Sequence, residues 1–414
     1  MEHRSQRAGA RLIGLLAAIT MLSQFYRVSG GVIAPELMRD LVLSPGSLGT
    51  ANGAFFLALA LLQLPCGMLF DRYGPRRTIA FLTAAAVAGA LAHAAATSAA
   101  TLILARFLLG VGCAGSFMGA VVLTSRWYPG ERMTTVMSWV FALSNFGTLL
   151  GATPLAWASD VIGWRMAFVV MAGATGAAGL IFFLFVRDTP DGRPFDGSGQ
   201  GQGEALRGVL DVIRTDGLPR ILAIHTFAYA SMLTVLGLWA SPYLYDVYGM
   251  DTVARGNVLL AMGTAQVLGI LCCGPLDRLF NSRKTVVIGG TLLTLAVLAG
   301  LALPPALPLA LAVGLLIALC FVTSYGIVIV AHGRSLFPDH LAGRGVTIVN
   351  LAQVTGCTVL PVLTGFLIDL FPSQGGKAPL VAYRAAFGVI AVALAIGLAF
   401  YAGARDSRPR PSAP

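Results

Sequence analysis

Charged residues are scarce in this chain. Of its 414 residues only 11% are Asp, Glu, Lys or Arg, 57% are hydrophobic, and the mean hydropathy is +0.79. Because a soluble domain carries about 25% charged residues, this composition excludes a soluble globular fold of this size. Apolar runs of about 20 residues recur along the chain, and each could cross a bilayer as a helix. We therefore predict an all-α membrane protein, since a spanning backbone must satisfy its own hydrogen bonds.

Acidic residues and cysteines are also few. None of the 18 Asp and Glu residues lies in the middle of a predicted span, and all six cysteines lie inside or at the edges of apolar segments. This pattern excludes a disulfide framework and shows no zinc-ligand spacing. The sequence also contains no phosphate-binding loop and no nucleophile elbow. We expect no cofactor, no bound metal, no enzymatic activity and no ATP-driven step.

The apolar segments predict twelve transmembrane helices. In chain order they lie near residues 12–35, 47–70, 78–98, 101–123, 134–158, 165–186, 219–245, 254–276, 285–303, 308–331, 345–369 and 383–403. A stretch rich in Gly, Asp and Pro between the sixth and seventh segments is typical of a flexible linker. The prediction is an N-terminal six-helix half at 1–186, a cytoplasmic linker at 187–218 and a C-terminal six-helix half at 219–414.

Basic residues predict the orientation in the membrane. With the N-terminus inside, the inner loops and tails hold 21 Arg and Lys residues and the outer loops hold five. Such an excess is typical of cytoplasmic loops. We therefore predict cytoplasmic N- and C-termini. The net charge of +10 comes from basic residues in short loops that set the membrane orientation. We therefore expect no nucleic-acid partner.

The two halves repeat each other. The loop GMLFDRYGPRR at 67–77 has a degenerate copy, GPLDRLFNSRK, at 274–284, and Asp71 and Asp277 are 206 residues apart. Pro154 and Pro361 correspond at a similar offset. A repeat of six-helix halves is the arrangement that secondary transporters use for alternating access around a central site.

These motifs resemble those of the Major Facilitator Superfamily over essentially the whole chain. GMLFDRYGPRR is similar to that family's signature between helices 2 and 3, and ARFLLGVGCAG at 105–115 resembles its helix 4 signature through Arg106 and Gly110. Helix 5 lacks the Gly-Pro pair of the family's antiporter signature, which argues against drug-type antiport. The patterns FYRVSGGVIAPEL and GLWASPYLYDVYG resemble bacterial carriers of nitrate, nitrite and organic anions, which implies a bacterial inner membrane.

The loop between helices 2 and 3 is a candidate conformational latch. An acidic side chain there can bind the N-terminal amides of a neighbouring helix, and the resemblance implies that this neighbour is helix 11. The latch would hold the cytoplasmic side shut. The alternative is that these charges serve only to set the orientation of the chain in the membrane. Its predicted residues, with the C-terminal copy, are Gly67, Asp71, Arg72, Gly74, Arg76, Arg77, Asp277 and Arg278.

Arg27 is the strongest candidate for binding substrate. It lies 16 residues after Arg11, past the middle of the first span, where a charge costs at least a few kcal/mol. It should therefore face a wet cavity or a partner, and the resemblance implies that helix 1 lines the central cavity. Snorkelling toward the outer surface, or pairing with Glu36 or Asp40, are the alternatives. For Arg106 in the fourth span, a structural role and a coupling role are equally open.

Other polar and aromatic residues within the spans could complete a binding cavity, although many such groups only bond across helices. They are Gln24, Asn52, Asn145, Tyr229, Trp239, Gln266, Tyr325, Asn350 and Gln353. Because no carboxylate lies mid-span, His93, His225 and His332 are the alternative candidates for binding a coupling proton. We expect each of these histidines to be a satisfied interface residue.

The sequence thus predicts a secondary active transporter that moves a small organic or inorganic anion by alternating access. Its partners would be that solute, a coupling ion and the lipid bilayer, and we expect a monomer. A drug or metabolite exporter is one alternative. Import of a metal or metal chelate is another, supported by Met21, Met232, Met262 and the pair Cys272-Cys273 as soft ligands. A membrane receptor or scaffold is the non-transport alternative.

Overall fold

A computed structural model describes residues 2–128, 130–189, 215–338, 341–373 and 375–408, and the regular elements in them are helices. Eleven continuous apolar segments in these residues are long enough to cross a membrane. They are Gly9–Val32, Pro45–Tyr73, Pro75–Ala94, Ala99–Trp127, Thr135–Phe185, Leu218–Tyr248, Thr252–Leu279, Arg283–Ala302, Leu309–Ser335, Gly345–Asp369 and Leu380–Ala402.

The fifth of these segments contains two crossings. A helix of its 51 residues would be about 76 Å long, more than twice the roughly 30 Å of a bilayer core. Gly163, with φ 79° and ψ 149°, breaks the helix Thr153–Phe185 near its first third. Spans 5 and 6 are therefore 135–162 and 164–185, which makes twelve spans in the described residues, numbered here in chain order. The predicted all-α, twelve-helix architecture is confirmed.

The span ends differ from the predicted ones by a few residues. Span 3 ends at Ala94, four residues before the predicted end. The cause is Ser98, which caps the next helix: its side chain accepts the Thr101 amide, while the Thr101 hydroxyl accepts the Ser98 amide. This capping box starts span 4 at Ala99 and leaves the residues before it as a turn.

Several spans are interrupted. Span 4 is broken between Cys113 and Ser116, span 7 contains the π-helical turn Val235–Trp239, and span 10 contains the 3₁₀ turn Thr323–Tyr325. Such turns are frequent at functional sites in membrane and soluble helices. The sequence did not predict them, because hydropathy does not register a local change of helical pitch.

The chain forms two compact units. One consists of residues 1–43 and 54–199, and the other of residues 44–53 and 200–414. Residues 190–214, most of the predicted linker, lie outside the described residues, so the boundaries at 186 and 219 stay a prediction. Segment 44–53, which begins span 2, groups with span 11: Asp369 accepts hydrogen bonds from the Gly46 amide (2.9 Å) and the Ser44 hydroxyl (3.0 Å).

Small residues let the helices approach closely within each unit. In the first unit Gly147 of span 5 packs on the Met21 carbonyl of span 1, and Gly112 of span 4 packs on Ala86 of span 3. In the second unit Gly356 of span 11 packs on the Thr226 carbonyl of span 7. At each of these places a β-carbon would collide with a neighbouring main chain, so the residue must be glycine.

Candidate functional site

Arg27 lies inside the first unit. Its side chain is half-buried, its Nε is buried without a hydrogen-bond partner, and its charge acts on the Cys113 thiol of span 4. The Asp40 carboxylate, one of its alternative partners, instead pairs with Arg39 (3.1 Å) and Arg165 (3.7 Å). Arg27 therefore presents an incompletely satisfied cation to the interior of the N-terminal half.

Arg106 holds the turn of span 1 that carries Arg27. This guanidinium is 2% exposed. Its Nη1 donates to the Tyr26 carbonyl at 2.9 Å, and its Cζ lies 5.0 Å from the centre of the Phe55 ring. Gly30 makes room for it, because a β-carbon there would lie 3.1 Å from Cζ. Of the two predicted roles, the geometry directly supports the structural one.

A small cavity with a mainly apolar lining adjoins this region. Its volume is about 20 Å³, enough for one water molecule. The polar part of the lining comes from Ser23, Tyr26, Thr83, Cys113, Ser116 and Thr175. The Tyr26 and Thr175 hydroxyls lie 2.8 Å apart and join spans 1 and 6. Cys113 lines this cavity and feels the charge of Arg27, which places the cavity close to the Arg27 side chain.

The other predicted residues of the first unit are Gln24 and Asn145. Gln24 is half-buried on span 1, and its Cβ would lie 3.1 Å from a β-carbon at Gly147. Asn145 donates its amide to the Phe141 carbonyl of its own helix at 2.8 Å. Gln24, one turn before Arg27, is the better placed of the two. Their contact with substrate stays a prediction.

In the second unit the structure brings spans 7 and 11 together around a histidine. His225 is 1% exposed, and both ring nitrogens lack a hydrogen-bond partner of normal geometry. The side-chain amide of Gln353 on span 11 approaches the ring. The sequence predicted a satisfied interface histidine near the inner face. The ring is buried at the contact of spans 7 and 11, as an interface histidine should be, but it makes no hydrogen bond of normal geometry.

The remaining candidates of the second unit differ in accessibility. The indole of Trp239 donates to Thr364 Oγ1 at 2.7 Å, and the Tyr325 hydroxyl lies 3.0 Å from Thr291 Oγ1. Both side chains are buried and serve packing in this structure. Asn52 is buried as well, whereas four candidates are half-buried: Tyr229, Gln266, Asn350 and Gln353.

The predicted latch loop of the first unit is tied to the end of span 6. The Asp188 carboxylate accepts the Arg76 amide at 2.7 Å and so caps span 3. Arg76 also donates its Nε to the Phe183 carbonyl at 2.7 Å. Gly74 has φ 81°, and a β-carbon there would crowd the Asp188 carboxylate. Asp71 itself is exposed at the end of span 2.

The second unit repeats this cap and also contains an ion pair at the copied loop. Asp406, just after span 12, accepts the Lys284 amide at 3.0 Å and so caps span 9. Burial raises the pKa of Asp406, but the hydrogen bonds from Lys284 and Ser282 outweigh it and hold this pKa below its usual value. Asp277 is only 9% exposed and lies 3.3 Å from Arg283. The caps were missed, although Arg-Asp follows both spans 6 and 12 in the sequence.

The outer ends of the units repeat each other too. In the first unit Trp164 Nε1 donates to the Asp40 carboxylate (2.9 Å). In the second, the Tyr383 hydroxyl donates to Asp246 (2.6 Å). The residue after each donor is an arginine. Arg165 donates to the Ala96 carbonyl just after span 3, and Arg384 donates to the Leu303 carbonyl just after span 9. We call these two groups the outer ties. Asp40 and Asp246 are 206 residues apart, the same offset as in the loop repeat, which was the overlooked signal.

The described residues contain no group of three or more His, Cys, Asp or Glu side chains that could hold a metal ion. Cys272 is exposed and Cys273 is buried, and all six cysteines are free thiols. The geometry therefore gives no support to the alternative of a metal importer.

The profile of the Major Facilitator Superfamily matches residues 14–331 and 256–414. The chain belongs to the Major Facilitator Superfamily. The resemblance inferred from the loop motifs is confirmed, and the protein is a multi-pass membrane protein of a transporter superfamily.

Two curated transporters are about one quarter identical to this chain. A protein of Agrobacterium vitis, provisionally named a tartrate transporter, is 25% identical over 70% of this chain and 68% of its own length. A quinolone resistance transporter of Acinetobacter baumannii is 26% identical over 58% of this chain and 57% of its own length. In fold, the chain is similar to the crystal structure of a bacterial homologue of the human lysosomal transporter Spinster. That match has a TM-score of 0.77 and 18% identity, and covers 95% of this chain and 96% of the other.

Proposed function

We propose that this superfamily member is a secondary active transporter of a small organic anion, most simply a carboxylate, working by alternating access in a bacterial inner membrane. Both termini would be cytoplasmic, and the carrier would act as a monomer. The observation that carries the proposal is the guanidinium of Arg27, which lies inside the N-terminal half with a buried, unsatisfied Nε.

The charge balance of the spans supports an anionic substrate. Arg27 and Arg106 both lie within spans, while none of the 18 Asp and Glu residues is mid-span. Because Arg106 already binds the Tyr26 carbonyl, Arg27 is the cation better placed to receive a ligand. A cavity wall with uncompensated positive charge attracts anions. A guanidinium can also bind a carboxylate through two parallel hydrogen bonds.

The relative provisionally named a tartrate transporter supports a carboxylate substrate. The quinolone resistance transporter favours the second candidate function, drug export. Drug export is less well supported by this sequence, because helix 5 lacks the Gly-Pro pair of the antiporter signature and no mid-span carboxylate could exchange a proton for a cationic drug.

The loop around Asp71 is proposed to control conformation and not substrate choice. Its residues lie at the inner ends of spans 2 and 3, away from Arg27. Asp71 is exposed and so remains accessible to a partner, whereas Arg76 binds the end of span 6. On this proposal the cluster of Asp71, Arg72 and Arg77 stabilises one state of the transport cycle.

Substitution of Arg27 tests the proposed function. Losing an ionic hydrogen bond costs about 1.5–3 kcal/mol, or roughly ten- to a hundred-fold in affinity. Arg27→Gln should weaken tartrate binding by that factor and still insert, because it removes a charge from the membrane. Arg27→Lys keeps the charge but loses the planar fork, and should be intermediate. Binding is measured by calorimetry on purified protein, and transport by counterflow of labelled tartrate in proteoliposomes.

Arg39→Gln is the matched control, because Arg39 lies on the same half with a 72% exposed side chain. It should bind tartrate as the wild type does. Equal affinity of the Arg27→Gln variant and the wild type would contradict the role of Arg27. If a panel of mono- and dicarboxylates neither stabilises the wild type thermally nor exchanges in counterflow, while quinolones do both, the drug-export function replaces the proposed one.

A further inference from the structure

His225 is a buried polar ring whose two nitrogens make no hydrogen bond of normal geometry. Native proteins pair nearly all buried polar atoms, so an exception calls for a functional explanation. Histidine is also the side chain that ordinarily gains or loses a proton near neutral pH. We propose that His225 is the proton-binding site of the carrier, where one proton binds together with the transported anion. The inference rests on the proposed anion-transport function.

The helix contact places His225 beside one polar neighbour. Gly356 of span 11 packs against the Thr226 carbonyl, the residue after His225. One turn before Gly356, the Gln353 amide approaches the ring without completing a normal hydrogen bond. Gln353 is half-buried, so it connects the ring to more accessible space. An amide can accept from a protonated ring and donate to a neutral one, which suits a site that changes protonation.

Nearby charged groups do not compensate a proton on His225. The segment Leu218–Thr234, which carries it, packs on spans 10, 11 and 12. On its own helix, Arg220 binds the Gly403 carbonyl. On span 10, His332 is bonded through both nitrogens, to the Tyr401 hydroxyl (2.7 Å) and the Arg405 carbonyl (3.1 Å).

The other titratable groups on these four helices are tyrosines, which ordinarily ionise near pH 10, cysteines, which ordinarily ionise near pH 8.5, arginines, which stay charged, and one helix-end carboxylate. They are Tyr229, Cys320, Tyr325, Arg334, Cys357, Asp369, Tyr383 and Arg384. Asp369 is held by the Gly46 amide and the Ser44 hydroxyl. None of these groups supplies a negative charge beside His225.

A proton on His225 would therefore be a buried charge without a counterion, which is costly. The negative charge of an anion bound to the same carrier lowers that cost, and the protonated ring in turn strengthens anion binding. This coupling is reciprocal, as linkage requires. The proton is taken from water with the anion on one side of the membrane and is released with it on the other. The empty carrier returns without the proton.

The other described histidines are less suited to this role. His332 already has two hydrogen bonds. His93 is fully buried and also lacks a partner, but it stacks on the Phe168 ring at 4.0 Å and meets the Trp164 ring edge-on at 5.8 Å. The positive charge of Arg106 also acts on His93, and repels a second positive charge. Only His225 combines burial, free nitrogens and a polar neighbour among these three.

The test uses wild type, His225→Gln and the matched control His93→Gln in proteoliposomes with labelled tartrate. An imposed gradient, acidic outside, should drive wild-type tartrate accumulation above the external concentration. His225→Gln should lose this accumulation but keep tartrate counterflow, because exchange needs no net proton movement. His93→Gln should behave as the wild type does. Gradient-driven accumulation by His225→Gln, or its loss only in His93→Gln, would overturn the inference.

A measurement on the wild type covers the case in which His225→Gln does not fold. Tartrate binding is measured calorimetrically near neutral pH in buffers of different ionisation enthalpy, which reports protons taken up. Uptake of one proton per bound tartrate supports the inference, and uptake of none refutes it. Wild-type counterflow without any response to the pH gradient rejects the inference alone. Absence of both tartrate binding and counterflow in the wild type rejects the proposed function itself.

Discussion

At the scale of single residues, two arginines within spans differ in how their guanidinium groups are bonded. Arg106 is buried and bonded to the Tyr26 carbonyl, whereas Arg27, the next residue along span 1, keeps an unsatisfied nitrogen. The amino-acid sequence alone could not distinguish the two arginines, because each is a single cation in an apolar segment. The glycine at position 30 resolves the question, since its missing side chain is where the Arg106 guanidinium lies.

We predict that Arg106→Lys lowers the thermal stability of the purified protein. The shorter ammonium cannot keep both the hydrogen bond to Tyr26 and the position over Phe55, and a lost charged hydrogen bond costs about 1.5–3 kcal/mol. The unfolding temperature in detergent measures the effect. Arg39→Lys, at an exposed position, is the control. An unfolding temperature equal to that of the wild type would show that Arg106 does not hold the turn.

At the scale of helices, close contacts through glycine decide which spans are neighbours. Gly356 meets the backbone carbonyl of Thr226, which cannot move aside as a flexible side chain could. Gly388 of span 12 has open space where its β-carbon would be. The same substitution should therefore have opposite consequences at the two sites.

Gly356→Ala should destabilise the protein by about 1–3 kcal/mol through overpacking. Gly388→Ala should be neutral or stabilising by up to about 1 kcal/mol, because alanine is the better helix former. Thermal unfolding of the two variants side by side measures the contrast. Equal shifts in both would show that spans 7 and 11 do not touch at this register.

The outer tie of the first unit should make stability depend on acid pH. Burial raises the pKa of Asp40, but the hydrogen bond from Trp164 and the charges of Arg39 and Arg165 outweigh it, so the folded-state pKa lies below 3.8. The ionised carboxylate therefore stabilises the fold at pH values above 3.8, and this contribution disappears as the pH falls through the lower folded-state value.

The unfolding temperature of Asp40→Asn should thus lie below that of the wild type near neutral pH and converge with it in strong acid. Trp164→Phe, which keeps an aromatic ring but loses the indole donor, should behave similarly. A temperature difference that stays constant from neutral to strongly acid pH would contradict the tie.

At the scale of the whole molecule, the two repeated loops have diverged. Asp277 is nearly buried against Arg283, while its counterpart Asp71 is exposed. Removing one partner of a buried ion pair destabilises the fold, because the other charge is left buried and uncompensated. Removing an exposed carboxylate changes the free energy of unfolding little, and such a carboxylate can interact with a partner that moves.

We therefore predict that Asp71→Asn lowers transport turnover without changing unfolding temperature or ligand preference, whereas Asp277→Asn lowers the unfolding temperature. Initial rates of tartrate counterflow, competition by other carboxylates, and thermal unfolding separate the three quantities. Wild-type turnover in the Asp71→Asn variant would remove the proposed latch.

The amino-acid sequence by itself determined the class of molecule, the twelve spans and their repeat. These features depend on hydropathy summed over about 20 neighbouring residues and on motifs within one loop, so they are legible without knowing which helices touch. It also identified Arg27, because a charge in an apolar run is conspicuous. Span ends were less accurate, since a cap such as Ser98 depends on local geometry.

Only the tertiary structure decided which polar groups meet. Asp188 caps span 3 from 112 residues away, and Asp406 caps span 9 from 122 residues away. The Asp40–Trp164 tie joins residues 124 apart. Gln353, the polar neighbour of His225, lies 128 residues further along the chain. Hydrogen bonding in the interior depends on the register between packed helices, and that register is set by many small contacts, such as Gly356 on Thr226, that hydropathy does not encode.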